Sequence, residues 1–222
     1  MYIAGHVYVV QQAFERDIDI FQLMQADIFR SHDYSAITGQ NYEVIESEPY
    51  MYLHLLGDYH IHFGNRYQEL KAGWVYQKMG IATDTWKKMH NLGYTTEDSK
   101  RGICHSLVEY VVDIYLEKNN SCRQLNDVKS QLTHDKVNLA QCDDQSREKA
   151  HDYINRVHLS DSYHEILARA AANKFFKTKD QKVTDFFYDE LSVIYQRLDE
   201  QSIENELKNN IEFIKRNIQW KS

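Results

Sequence analysis

The chain has 222 residues, 42% hydrophobic and 27% charged, with a formal net charge of −7 and 16 tyrosines. That length builds one sizeable core but not two average domains, and the composition is far from a disordered one. The negative balance argues against general nucleic-acid binding, because the field of the whole protein repels phosphate backbones.

Eight glycines and the single proline, Pro49, are too few turn formers for a sheet protein, which needs a turn every eight to twelve residues or so. The expected fold is all-α, a single-domain multi-helix bundle. No apolar run approaches the roughly 18 residues of a transmembrane helix. The opening MYIAGHVYVVQQAFERD has neither a basic n-region nor a small-residue cleavage site and reads as a mature start. Cys104, Cys122 and Cys142 form an odd set without C-x-x-C spacing, which suits a reducing, cytoplasmic location and offers no thiolate metal site.

In chain order, Val10, Phe14, Ile18, Phe21, Met24 and Ile28 fall near one stripe and predict one helix, or two, over Val7 to Phe29. Ser31 to Pro49 has loop composition, and Pro49 suits the first turn of the next helix. That helix runs through MYLHLLGDYHIHF, where Gly57 is a weak point, and a further segment covers Tyr67 to Met89. Thr95 to Asp98 reads as a cap before the most hydrophobic run, Ile103 to Leu116, which Asn119-Asn120 ends. Residues 119–149 are polar and read as a surface helix or an insertion. Three helices complete the chain, with Ser162-x-x-Glu165 and Thr178-x-x-Gln181 at capping-box spacing. The last, with Ile203, Leu207, Ile211, Ile214 and Ile218, is amphipathic enough to dock on the core or to form a homodimer interface.

Two arrangements carry chemistry: His54-x-x-x-Asp58-x-x-x-His62 and His105-x-x-x-Glu109-x-x-x-Asp113. A helical step of four residues advances about 400°, so each trio lies on one face, a turn apart. Facing helices of this kind build metal sites in bundles, and mixed imidazole and carboxylate ligands suit zinc, with manganese or iron as alternatives. The competing explanation is a pair of solvated polar stripes, since both trios lie opposite the centre of the apolar face. Ile61, Val112 and Leu116 interrupt those stripes, which is wasteful in open water and reasonable in a cleft.

The remaining histidines have blander readings. His6 sits in apolar context, His90 lies near a helix end, and His32-Asp33, His134-Asp135 and His151-Asp152 are dipeptides of a histidine-rich chain. A break at Gly57 would move the ligand role to His60 and His62 together. His158, Asp161, His164 and Glu165 surround a helix start and offer a third wall for the site. No phosphate-cradling glycine loop and no nucleophile elbow is present.

An early His6, the Leu56-Gly57-Asp58 step and His105-x-x-x-Glu109 resemble the zinc-dependent phospholipase C superfamily, which includes single-strand nucleases. The resemblance covers roughly residues 1–118. It implies His6 as an early ligand, Asp58 as a bridging carboxylate, His105 with Glu109 as a ligand pair, and His90 as a further histidine ligand. The chain departs from secreted members, which open on a ligating Trp, by opening Met-Tyr. The order His6, His32-Asp33, Asp113 is also similar to HD-domain phosphohydrolases, where such residues hold one metal or part of a pair.

The reading is a metal-dependent hydrolase of a small-molecule or lipid phosphoester that uses metal-activated water. His6, His54, Asp58, His62, His105 and Glu109 are the metal ligands, and Asp113 is a catalytic or orienting carboxylate. The alternative from another class is a non-catalytic helical binding or assembly protein.

Overall fold

The computed structural model describes residues 1–14, 17–29, 32, 34, 37, 49–64, 73–139 and 143–218. Among them the secondary structure is helical and no strand is present, as the scarcity of turn formers requires.

Helix α1 spans Ile3–Phe14 and is followed by two short helices, α2 (Ile20–Leu23) and α3 (Gln25–Phe29). The stripe over 7–29 is therefore cut into three pieces that share one buried side. The cut is set by Asp19, whose extended backbone and side-chain acceptance from the Gln22 amide start a new helix.

Helix α4 covers Pro49–Phe63 without a break at Gly57. The extended alternation of His60 and His62 is thus corrected. A Cβ at Gly57 would stand 3.4–3.6 Å from the side chains of Met1, His6 and Val9, ordinary contact distances, so the crossing of α1 over α4 does not depend on glycine there. Downstream, the segment read as one helix is divided into α5 (Trp74–Lys78), a 3₁₀ turn (Met79–Ala82) and α6 (Thr83–Asn91).

Helix α7, Lys100–Lys118, is the axis of the fold and contacts α1, α5 and α6. Ile103, Leu107, Val108, Val111, Val112, Ile114 and Leu116 are buried around much of its circumference. A 3₁₀ turn over Glu97–Ser99 with a Thr96–Ser99 capping box starts it, and Asn120, at φ 50°, follows its end. Residues 119–149 carry α8 (Leu125–Gln131) and α9 (His134–Leu139), in which Val128, Leu132 and Val137 are fully buried. Three apolar anchors thus hold the stretch against the body.

Four helices follow: α10 (Asp144–His158), α11 (Tyr163–Phe176), α12 (Gln181–Arg197) and α13 (Glu200–Asn217). The Ser162 side chain caps α11 by accepting from the Glu165 amide. Asp180, not Thr178, caps α12, so the second capping-box spacing is a coincidence of sequence. Helices α11 and α12 pack on α7, while α13 lies across α1 and α4 with Ile203, Leu207, Phe213 and Ile214 turned inward. Asn210 of α13 donates to the Gly57 carbonyl at 2.9 Å. The apolar face of α13 is therefore covered within the chain. None of the helices is long and apolar enough to cross a membrane among the described residues.

Candidate metal centre

The segments around 54–62 and 105–113 lie against α1 with their ionisable groups turned inward. His54 and Asp58 are 0% and 5% exposed and Glu109 is 9% exposed, which is incompatible with solvated stripes. Both helices are buried on their polar side as well as their apolar one, because α1 and the α3 region cover it.

Three groups of potential ligands form, in each of which the donor atoms lie within 4.8 Å of one another: His6, Asp27 and His54; His32, His54 and Asp58; His62, His105 and Glu109. Asp58 stands between them. Its Oδ1 is 3.5 Å from His6 Nε2, and its Oδ2 is 3.7 Å from His32 Nε2 and 3.6 Å from His62 Nδ1. The Tyr34 hydroxyl donates to Oδ2 at 2.8 Å. In the third group His62 Nε2 is 2.9 Å from Glu109 Oε1, and His105 Nδ1 is 3.4 Å from Glu109 Oε2. The Met1 amino group approaches Glu109 at 3.1 Å and Asp58 at 3.8 Å.

Two geometric features distinguish this cluster from a satisfied polar core. His6 and His54 stack with ring centroids 3.7 Å apart, and neither ring has a hydrogen-bond partner on either nitrogen among the described residues. An orphaned polar group in the interior costs roughly 1–3 kcal/mol, so two such rings side by side need another partner. Several separations also exceed hydrogen-bond length by a few tenths of an ångström, among them His54 Nε2 to Asp27 Oδ1 at 3.8 Å and His105 to Glu109 at 3.4 Å. Around a tetrahedral ion with bonds of roughly 2.0–2.1 Å, neighbouring ligand atoms stand about 3.4 Å apart. The spacing fits the edges of a coordination shell.

The electrostatics agree with that fit. Burial, reinforced by the adjacent His6 ring, drives His54 down to about 3, and burial also lowers His6 and His105. These rings are neutral at physiological pH, the form that ligates a metal. Burial opposes ionisation of Asp58 and Glu109, but the surrounding positive groups overcome it, His62 foremost at Asp58 and the Met1 amine foremost at Glu109. Both carboxyls are held below their ordinary range. His62 is raised against burial by Asp58 and Glu109, so a cation entering the group would displace its proton.

Asp113 does not join the groups. Its carboxylate accepts from the backbone amides of Tyr2 (3.2 Å), Ala4 (2.7 Å) and Gly5 (2.9 Å) and thereby fastens the start of α1. Burial pushes this carboxyl up to about 7 against the pull of those amides. His90, implied as a ligand by the phospholipase resemblance, is exposed, lies on Trp86 and approaches the Thr95 carbonyl at 3.1 Å. His158 contacts the Leu132 carbonyl, His164 contacts the Tyr188 carbonyl, and Glu165 holds Arg169, so none of the three forms a third wall. His60 faces Glu206 at 3.4 Å on the opposite side of α4. Of the HD-like set, His6 and His32 reach the cluster, Asp113 is taken by α1, and Asp33 lies outside the described residues.

Sequence reasoning missed Asp27 and Tyr34. Asp27 approaches His32 Nε2 at 3.2 Å, but it sits in a helix of only five residues, where no periodicity singles it out. Met1, Asp27, His32, Asp58, His62, His105, Glu109 and Lys174 are among the residues around a cleft of about 260 Å³ that opens over the third group. No family model, no curated protein and no solved structure matches this chain.

Proposed function

We propose that the protein is a metal-dependent hydrolase of phosphoesters with two divalent ions in this cleft. One would be held by His54 with Asp27 and its neighbours His6 and His32, the other by His62, His105 and Glu109, with the Asp58 carboxylate between them. The observation that carries this reading is the pair of buried, stacked, hydrogen-bond-orphaned imidazoles of His6 and His54, flanked by carboxylates at coordination spacing.

Mixed nitrogen and oxygen ligands of this kind suit zinc first, then manganese or iron, and the oxygen-rich shell that calcium requires is absent from the described residues. Three protein ligands in the group under the cleft leave a position for water or substrate, as in catalytic rather than structural sites. Ions held there supply a nucleophile from water at neutral pH and polarise a phosphoryl oxygen. The protein's own part is to keep His6, His54 and His105 neutral and Asp58 and Glu109 ionised, to orient Asp58 through the Tyr34 hydroxyl, and to shape a small cleft that admits a phosphate group.

Untagged protein should retain close to two equivalents of metal by elemental analysis, and Asp58→Ala or Glu109→Ala should abolish retention of at least one. The metal-loaded protein should hydrolyse members of a phosphomonoester and phosphodiester panel. Folded protein that is metal-free and resists loading with zinc, manganese and iron refutes the reading and favours a non-catalytic helical module.

A further inference from the structure

The floor of the cleft is made of imidazoles and carboxylates, and its rim carries one lysine. Lys174, near the end of α11, lines the cleft beside His105 and Glu109. Its ammonium donates to the hydroxyl of Ser106 at 2.8 Å, and Ser106 is 1% exposed on α7, immediately after His105. No carboxylate lies within ion-pair distance of Lys174 among the described residues, although every carboxylate on the floor has a cationic or imidazole neighbour. The buried Ser106 hydroxyl needs a partner, and the one it takes is the ammonium of an exposed lysine that has no carboxylate to neutralise among the described residues. The tie costs side-chain entropy, and its effect is to hold a positive charge over the mouth of the site.

We propose that Lys174 is a specificity-determining anchor for a phosphoryl oxygen that the metal ligands do not reach, and that it favours phosphate monoesters over diesters. This rests on the metal-hydrolase reading. A diester has two non-bridging oxygens and one negative charge, which two ions on the floor can take up between them. A monoester dianion has a third non-bridging oxygen and a second charge, and with two oxygens on the floor the third points to the rim. An ammonium held there gives a charge-assisted hydrogen bond to that oxygen and nothing comparable to an alkylated one. Ser106 is a positioning residue: it keeps the ammonium over the cleft and touches no substrate.

The test uses full-length, metal-loaded protein, with metal content measured on every variant. The dissociation constants of inorganic phosphate and dimethyl phosphate are determined by calorimetry for the parent, Lys174→Met, Lys174→Arg and Ser106→Ala. Lys174→Met should weaken phosphate roughly tenfold while changing dimethyl phosphate by less than about twofold. Lys174→Arg should restore most of the loss, and Ser106→Ala should fall between. The phosphate effect should shrink in high salt, as befits a rim charge. In turnover, the same change should raise KM for p-nitrophenyl phosphate more than it lowers kcat. Equal weakening of both anions, or no change in either with metal retained, overturns the anchor and leaves the hydrolase reading standing. Folded parent protein that is metal-free and resists loading with zinc, manganese and iron overturns that reading and the anchor with it.

Discussion

Asp113 offers the sharpest test of how this core is organised, because two roles for it predict different stabilities. As a ligand or catalytic carboxylate it would matter to metal or turnover and little to the empty protein. As the acceptor of three buried amides, from Tyr2, Ala4 and Gly5, it would matter chiefly to the fold. Each orphaned amide costs roughly 1–3 kcal/mol. The three share one helix start, so their losses do not simply add. Asp113→Ala is therefore expected to destabilise the metal-free protein by about 4 kcal/mol. Asp113→Asn, which keeps one acceptor oxygen and turns an amide donor toward the other amides, should cost roughly half as much. The measurement is urea unfolding in excess chelator, followed by tyrosine near-ultraviolet circular dichroism. A loss below about 1 kcal/mol for the alanine variant, within the ordinary range of surface changes, would refute the capping role and return Asp113 to the metal site.

Gly73 approaches the end of α4 so closely that a Cβ would stand 2.3 Å from the backbone of Ile61 and His62. Gly73→Ala should therefore lower stability by about 3 kcal/mol and weaken metal retention through His62; a variant with unchanged melting and metal content contradicts this contact. Glu206 is pushed by burial from 4.5 up to about 8, beside a His60 that burial lowers to about 4. Glu206 alone makes the folded state bind the extra proton between 4.5 and about 8, whereas His60 makes the unfolded state bind one between about 4 and 6.5, so the two offset each other in acid and stability falls with rising pH from 6.5 to about 8. Glu206→Gln should remove the fall, stabilising the protein by roughly 2–3 kcal/mol at pH 9 and changing little at pH 4; parallel stability–pH curves for parent and variant would exclude it. Metal at a hundredfold excess over its dissociation constant adds about 2.7 kcal/mol, so chelation should lower the melting temperature by roughly 5–10 °C. A shift below about 1 °C by differential scanning calorimetry would count against a ligand cluster that needs filling.

The helical class was legible from composition, since one proline and eight glycines in 222 residues leave long helices as the available architecture. Helices α4 and α7 were legible from Pro49 and from the Ile103–Leu116 run, and so were the one-turn spacings of His54, Asp58 and His62 and of His105 and Glu109. A second helix within the first stripe was allowed for, but the position of the break between α1 and α2 was hidden, because the apolar stripe continues across it and only Asp19 marks the new start. Asp113 stands outside the ligand groups for a related reason. Spacing puts it in line with His105 and Glu109, but α1 begins directly over that turn of α7 and its amides claim both oxygens. Asp27 reaches the cluster from a helix too short to show a pattern, through a chain path that no local signal specifies.

The polar stripes of α4 and α7 are buried, not solvated. Polar residues opposite an apolar face are solvated only if that face meets water, and here α1, itself apolar enough to be buried on both sides, covers them. The sequence of α1 carries that information: Ile3, Ala4, Val7, Val9 and Val10 are all fully buried, which is too many for a helix with one side in solvent. The first two turns of α1, buried apart from a half-buried Tyr8, lie between other helices, and the polar stripes of α4 and α7 are what they lie between. His6 is the one ionisable side chain that α1 itself brings inward. In a core built for stability alone it would be an apolar residue, because a buried imidazole with both nitrogens orphaned loses more than its packing returns. Such a disagreement between local chemistry and global fold marks a functional site more reliably than the count of histidines does. It also identifies His6 as the residue to change first: His6→Leu should leave the metal-free protein as stable or more stable, and should weaken the metal held at Asp27, His54 and Asp58. A less stable apo protein with undiminished metal content would show that His6 serves the core, and that the cleft owes its chemistry to the third group alone.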